Sequence, residues 1–217
     1  KTYCIYNPME GVSLPRKKTS DIRLLDKKEQ LCLEEYVSKI HNSTTLGITL
    51  AMTTGIRIGE LCALQWKDID LEKRILTVSK TVQRIQLHEA DRKTKLIITE
   101  PKSESSKRII PIPEAVVAFL KEMRENDEDF VVSGTSRVIE PRTMQYRFAK
   151  ILKNVNLPSV HFHALRHMFA SNCIRLGFDI KALSEILGHS SVEITLNRYV
   201  HSSFEQKTEY MNRITIC

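Results

Sequence analysis

The residues whose types and spacing suit chemistry are gathered in 161–199, HFHALRHMFASNCIRLGFDIKALSEILGHSSVEITLNRY. His163 and Arg166 stand three apart at the head of an apolar-periodic segment (Leu165, Phe169, Cys173, Leu176), so both project from one side of a predicted helix and face one target. Gly177 stops that helix, Asp179 caps the next, and Ile180, Leu183, Ile186 and Leu187 give the second helix a buried stripe ending at Gly188. His189 is thereby left on a helix-terminal turn. After Ser190 and Ser191 a third periodic segment (Val192, Leu196, Val200) carries Tyr199 beside its apolar stripe. Two imidazoles and a guanidinium can grip a phosphate, and the hydroxyl at the end can attack one.

Far upstream, TGIRIGELCALQW (54–66) places Arg57 just after Gly55, at the mouth of a segment with Leu61 and Leu64 inward and Glu60 three residues on. Helix N-termini present free N–H groups to anions, and an arginine there adds a planar fork suited to phosphate. Taken alone, Arg57 with Glu60 is more often a surface ion pair, and Tyr199 more often a partly buried core tyrosine.

The strings LRH (165–167) and LGHSS (187–191), followed by a tyrosine with a histidine close by (RYVH, 198–201), resemble the catalytic box of the tyrosine recombinases, the phage-integrase family. The version here is most similar to integrases of conjugative transposons and related phages. TGIRIGELCALQW resembles the same family's first-arginine motif, and the resemblance extends over 21–201. It implies a site made of Arg57, Lys102, His163, Arg166, His189 and the nucleophile Tyr199, with Glu60 and His167 supporting. Lys102 matches by its place ahead of the RIIPIP strand, with Lys107 a weaker competitor; on its own it would read as a solvated surface lysine. His201 is usual in the box and is assigned no chemistry.

Physical chemistry divides the tasks among these groups. Arg57 and Arg166 suit the non-bridging oxygens, because each donates parallel hydrogen bonds and neither loses its charge. His163 and His189 can hydrogen-bond the phosphate or move a proton. By the resemblance Lys102 protonates the departing 5′ oxygen and Tyr199 attacks, aided toward phenolate by the cationic surroundings. A phosphotyrosine retains the energy of the broken phosphodiester, so rejoining needs no ATP. Side chains supply the positive charge, so neither Mg²⁺ nor another cofactor is expected. His163 and His167 have the i, i+4 spacing of a metal pair, but no HExxH, CxxC or aspartate cluster accompanies them. The resemblance implies site-specific strand exchange through a 3′-phosphotyrosine and a four-way junction. A type IB topoisomerase-like nicking-closing enzyme and a catalytically silent DNA-binding module remain the alternatives.

The elements that must position these groups belong to a chain of 217 residues, 41% hydrophobic and 27% charged, which suits one substantial core. A net charge of +7 points to polyanions, nucleic acid first. Five scattered cysteines without a CxxC pair suit reduced thiols, and neither a membrane-length apolar run nor a signal-peptide layout is present. A bacterial cytoplasmic, nucleoid-associated location is expected. The fold class expected is α+β, mainly helical, with a small antiparallel sheet or hairpin at one edge.

Residues 1–20 read as a basic linker from an N-terminal DNA-binding domain, 21–201 as the catalytic domain, and 202–217 as an amphipathic tail helix (Phe204, Thr208, Met211, Ile214). Within the domain, Asp26 and Glu29 form a capping box for a helix that buries Leu31, Tyr36, Val37 and Ile40, and a second helix runs from about Thr44 to Gly55. The β-rich stretches around 69–85 and 96–98 form strands about a polar loop, and KRIIPIP (107–113) returns as an edge strand. A helix follows Pro113, then a short strand at 130–132, then a helix from Pro141 whose Arg142 and Arg147 are either DNA-backbone contacts or solvated charges. By the resemblance the partners are double-stranded DNA carrying specific sites, a homotetramer formed on synapsed DNA from monomers, and accessory excision or DNA-bending proteins. The tail is expected to dock on a neighbouring protomer, with packing on its own domain as the alternative.

Overall fold

The fold is that of a computed structural model, which describes residues 23–86, 94–100, 106–199 and positions 208, 211 and 212. It is mainly helical with two small antiparallel sheets, as the sequence led us to expect. The segment 1–20, Lys102, Val200, His201 and most of the tail lie outside the described residues.

Helix α1 (Lys27–Lys39) begins at the expected capping box: the Glu29 N–H donates to Asp26 Oδ1 at 2.9 Å and the Asp26 N–H to Glu29 Oε2 at 2.8 Å. Its buried residues are Leu33 and Val37; Leu31 is 55% exposed and Ile40, already extended at the C-cap, 38%. This corrects the expected core face. Leu33 and Val37 share a face at i, i+4, and Leu31, two residues before Leu33, points to the other side.

Helix α2 (Ser43–Thr54) runs through the middle of the domain and packs against five other helices, so it is apolar on nearly every side. Gly47 allows that closeness, since a Cβ there would lie 2.7 Å from Val132 Cγ1. The helix ends at Gly55, whose left-handed backbone (φ 64°) turns the chain into the short helix α3 (Ile58–Ala63).

Strands β1 (Ile69–Asp70), β2 (Ile75–Val78) and β5 (Arg108–Pro111) make one antiparallel sheet in the order β1-β2-β5, so β5 is the edge strand expected of a segment containing proline. Strands β3 (Thr81–Gln86) and β4 (Thr94–Thr99) form a separate two-stranded ladder from Thr81↔Thr99 to Gln86↔Thr94. Arg84 ties that ladder to the head of the fifth helix through Glu140, at 2.6 and 2.8 Å.

The expected strand at 130–132 is a turn. Phe130 makes single bridges to Gln65 and Thr135, and the Gly134 N–H closes back on the Phe130 carbonyl at 2.8 Å. Val131 and Val132 are buried, so their apolarity reflects the core they enter rather than a ladder.

Helices α4 (Glu114–Met123) and α5 (Pro141–Asn154) form where Pro113 and Pro141 predict and bury Val116, Phe119 and Leu120, and Met144, Phe148, Ile151 and Leu152. Arg142 is exposed; Arg147 is half-buried and donates to the Val132 carbonyl at 3.3 Å.

Helix α6 (His163–Arg175) is more deeply set than one stripe requires: Ala164, Leu165, Arg166, His167, Met168, Ala170 and Cys173 are all buried, while Leu176 is exposed. Helix α7 (Ile180–Leu187) has Asp179 as its cap, the Ala182 N–H donating to Asp179 Oδ1 at 2.9 Å, and ends at left-handed Gly188. Ala170, Cys173, Leu183 and Leu187 form a small second core that seats α7 on α6. Helix α8 (Val192–Tyr199) departs from expectation: Val192 and Leu196 are exposed, and Thr195 is the buried residue among its described side chains.

Cys32, Cys62 and Cys173 are free thiols; burial pushes Cys62 up to about 12 and Cys173 to about 11, which makes both poor nucleophiles. Among the described residues no helix is long and apolar enough to cross a membrane.

Candidate active site

Residues more than a hundred positions apart meet at an open cleft of about 280 Å³, lined by Arg57, Ser106, His163, Arg166, Gly188, His189, Ser190 and Ile194. Four of the six expected catalytic residues are therefore in one place. Tyr199 is the last residue of α8, and its side chain, like Lys102, lies outside the described residues.

Arg166 is buried (2% exposed) on the first turn of α6. Its Nη1 donates to the Gly55 carbonyl at 2.7 Å and its Nη2 to the Leu187 carbonyl at 2.6 Å. These oxygens stand at the C-termini of α2 and α7, where carbonyls lack intrahelical partners and the helix dipole is negative. One guanidinium thus caps two helices, and the two helix ends stabilise the buried charge. Arg57 is held in the same way on one side, Nη2 donating to the Gly188 carbonyl at 2.8 Å. On the other side Nη1 meets Glu60 Oε1 at 2.8 Å, and the Arg57 N–H meets Oε2 at 3.0 Å.

Glu60, 5% exposed, does not serve Arg57 alone. Arg108, on β5, grips both oxygens, Nη1 to Oε1 at 3.1 Å and Nη2 to Oε2 at 2.8 Å, while its Nε donates to the Ile186 carbonyl at 2.6 Å. Burial by itself pushes the Glu60 carboxyl up, but Arg108 and then Arg57 outweigh it and hold the group below the usual carboxylate range. The expected ion pair is therefore half of an Arg57–Glu60–Arg108 triad, with Glu60 and Arg108 buried and Arg57 half-buried at the cleft, which binds α3, β5 and α7 together.

His163 opens α6 at the rim, with the His167 ring at right angles behind it, centroids 4.8 Å apart and planes at 85°. His167 is buried (6% exposed). His189 stands just past Gly188, its Nδ1 2.8 Å from Thr195 Oγ1. Lys107 is paired with Glu100 at 2.9 Å.

Arg108, Thr195 and Ser106 were not singled out from the sequence. For Arg108 a signal existed. Arg108 and Ile110 share a face of β5, and Ile110 is buried, so the period of two puts the arginine inside, where it requires a carboxylate. For Thr195 no linear signal existed, because its partner lies across a turn.

The arrangement suits an anion whose charge grows during reaction: two fixed guanidinium groups, two imidazoles and a half-buried floor. Among the described residues no group of three or more His, Cys, Asp or Glu side chains is placed to hold a metal ion.

Comparison with known proteins shows the family and the fold. A profile described as the phage integrase family matches residues 23–206. The chain is 31% identical to a protein named tyrosine recombinase XerC-like from Caldanaerobacter subterraneus subsp. tengcongensis, over 95% of this chain and 59% of that one. It is 28% identical to the transposase from transposon Tn916 of Enterococcus faecalis, over 87% of this chain and 50% of that one. The chain thus spans about half to three-fifths of the length of these curated relatives. Among solved structures, the Tn1549 transposon integrase in complex with transposon right-end DNA superposes with a TM-score of 0.74 at 25% identity, over 97% of this chain and 72% of that one.

Proposed function

The chain belongs to the phage integrase family, and on that premise we propose that it is the catalytic domain of a site-specific recombinase that integrates or excises a mobile element by cutting and rejoining DNA. The observation that carries this reading is the cleft itself: Arg57 and Arg166, brought together from distant parts of the chain, are locked onto helix C-termini with His163 and His189 beside them.

In the proposed reaction Tyr199 gives up its phenolic proton to solvent and its oxygen attacks the scissile phosphorus. A phosphorus–oxygen bond forms to the phenol as the bond to the 5′ oxygen breaks, and Lys102 supplies the proton that leaves a 5′-hydroxyl. Arg57 and Arg166 stabilise the charge on the non-bridging oxygens, and His163 and His189 hydrogen-bond the same group. Glu60 keeps Arg57 in place, and His167 supports His163. Attack by a second strand's 5′-hydroxyl reverses the step on a new partner, with neither ATP nor a metal in the cycle.

The substrate is double-stranded DNA with specific sites, a reading supported by the transposon-end DNA bound to the Tn1549 integrase. Residues 1–20 link to an N-terminal DNA-binding domain, 21–201 form the catalytic unit, and the protein works in the bacterial cytoplasm at the nucleoid. Monomers assemble into a tetramer on synapsed sites, assisted by accessory proteins, with 202–217 docking on the neighbouring protomer.

Trapping tests the chemistry. The chain is incubated in EDTA, at low salt to strengthen backbone contacts, on a duplex carrying its element's end and a nick just beyond the scissile phosphate. Covalent protein on a denaturing gel, absent with Tyr199→Phe although that variant still binds the duplex, is the expected result. Binding with no adduct from the native chain would instead favour a silent DNA-binding module.

A further inference from the structure

Helix α8 inverts the usual order of burial. Among its described side chains, Val192, Ile194 and Leu196 are 36, 39 and 42% exposed, whereas Thr195 is 0% exposed. A buried hydroxyl is costly unless hydrogen-bonded, and this one lies 2.8 Å from Nδ1 of His189, on the turn beyond the end of α7. Thr195 also precedes Tyr199 by four residues, one helical turn, on the same helix.

The hydrogen bond made by one imidazole nitrogen decides what the other can do. A hydroxyl both donates and accepts. It can donate to Nδ1 of a neutral His189 or accept from Nδ1–H of a protonated one, and both pairings keep a hydrogen at Nε2; a neutral ring donating from Nδ1 would leave Nε2 bare and unable to donate to a phosphate. Building on the reading of the cleft as a strand-cleavage centre, we infer that Thr195 is a positioning residue: it holds His189 with Nε2–H as its donor to the scissile phosphate and sets the nucleophile's helix in register with that donor. The phosphate-gripping histidine and the attacking tyrosine then share one fastening. Ring orientation and helix position change together.

Packing and hydrogen bonding are separable here, because valine keeps the shape of threonine without its hydroxyl and serine keeps the hydroxyl without the methyl group. On the nicked duplex, Thr195→Val is expected to slow adduct formation about 10- to 100-fold, and Thr195→Ser to restore most of the rate. Combined with His189→Gln, Thr195→Val is expected to add little to the loss from His189→Gln alone, since the two act as one unit. Nitrogen-15 correlation spectra of the histidine rings give a readout that needs no DNA: in the native chain Nδ1 of His189 carries the upfield shift of a nitrogen that accepts a hydrogen bond, and in Thr195→Val it loses that shift. An unchanged Nδ1 signal, a native rate for Thr195→Val, or equal loss in Thr195→Ser and Thr195→Val would overturn the inference. Absence of any adduct from the native chain, or an adduct that survives Tyr199→Phe, overturns the reading of the cleft; the ring spectra then still decide whether Thr195 holds His189.

Discussion

On one wall of the cleft, Arg57 and Arg166 hang from the ends of α2 and α7 by three carbonyl contacts of 2.6 to 2.8 Å, backed by the buried Glu60–Arg108 pair that Arg57 joins. On the other, α8 turns Val192, Ile194 and Leu196 to solvent and buries only Thr195 among its described side chains. The charge wall is fixed by several hydrogen bonds to helix ends and a carboxylate, whereas α8 rests on α6 and α7 with Thr195 as the buried residue among its described side chains. That difference fits the proposed division of labour. Donors that stabilise a transition state are effective when they need not reorganise, whereas an element that must meet a substrate gains from few ties.

Substitutions on the two walls should differ in kind. The largest effect of those considered is expected from Arg166→Ala, about a hundred- to a thousandfold in the rate of adduct formation. If Thr195→Val proved the more damaging, the comparison would fail, because the weak wall would be limiting.

Next comes the triad. Arg108→Met leaves the Glu60 carboxylate buried with one partner fewer and should cost about 3–5 kcal/mol of stability in chemical denaturation. Replacing both members, Arg108→Met with Glu60→Leu, should recover part of that loss. If the single and double variants were equally unstable, shape rather than charge would be holding this wall.

Acid sharpens the same point. Because Glu60 titrates lower in the folded chain than in the unfolded one, its contribution to stability is full above the ordinary carboxylate pKa, about 4.5, and is lost as pH falls through the lower, folded value. The gap in melting temperature between the native chain and Glu60→Gln should therefore be constant near neutrality and close below about pH 4.5. A gap that persisted undiminished in acid would assign the effect to packing.

The smallest effect belongs to the exposed side of α8. Leu196→Ser should change stability by no more than about 0.5 kcal/mol. A larger loss, in the free chain, would mean that this face is covered and that the second wall is more firmly tied than its exposure indicates.

Much of the frame was legible in advance because its signals are local. Asp26 and Asp179 cap helices through their own side chains, Gly55, Gly177 and Gly188 end them at positive φ, and Pro113 and Pro141 stand where helices begin. Arg57, His163, Arg166 and His189 could be picked out from strings, but only coordinates could place them around one cleft. Leu31, Ile40, Val192 and Leu196 were misread as buried for a common reason. Periodicity reports that a helix has an apolar face, not which neighbour comes to cover it.

What the sequence by itself determined, then, are the identities of the chemical groups and the short-range turns, caps and strand alternation that present them, since those interactions act over a few residues. Tertiary structure alone decided that the C-termini of α2 and α7 converge on Arg166, that Arg108 reaches Glu60 from another strand, and that Thr195 faces His189. Each of those contacts joins separate elements, and which elements meet follows from how the whole core is filled rather than from the neighbours of any residue along the chain.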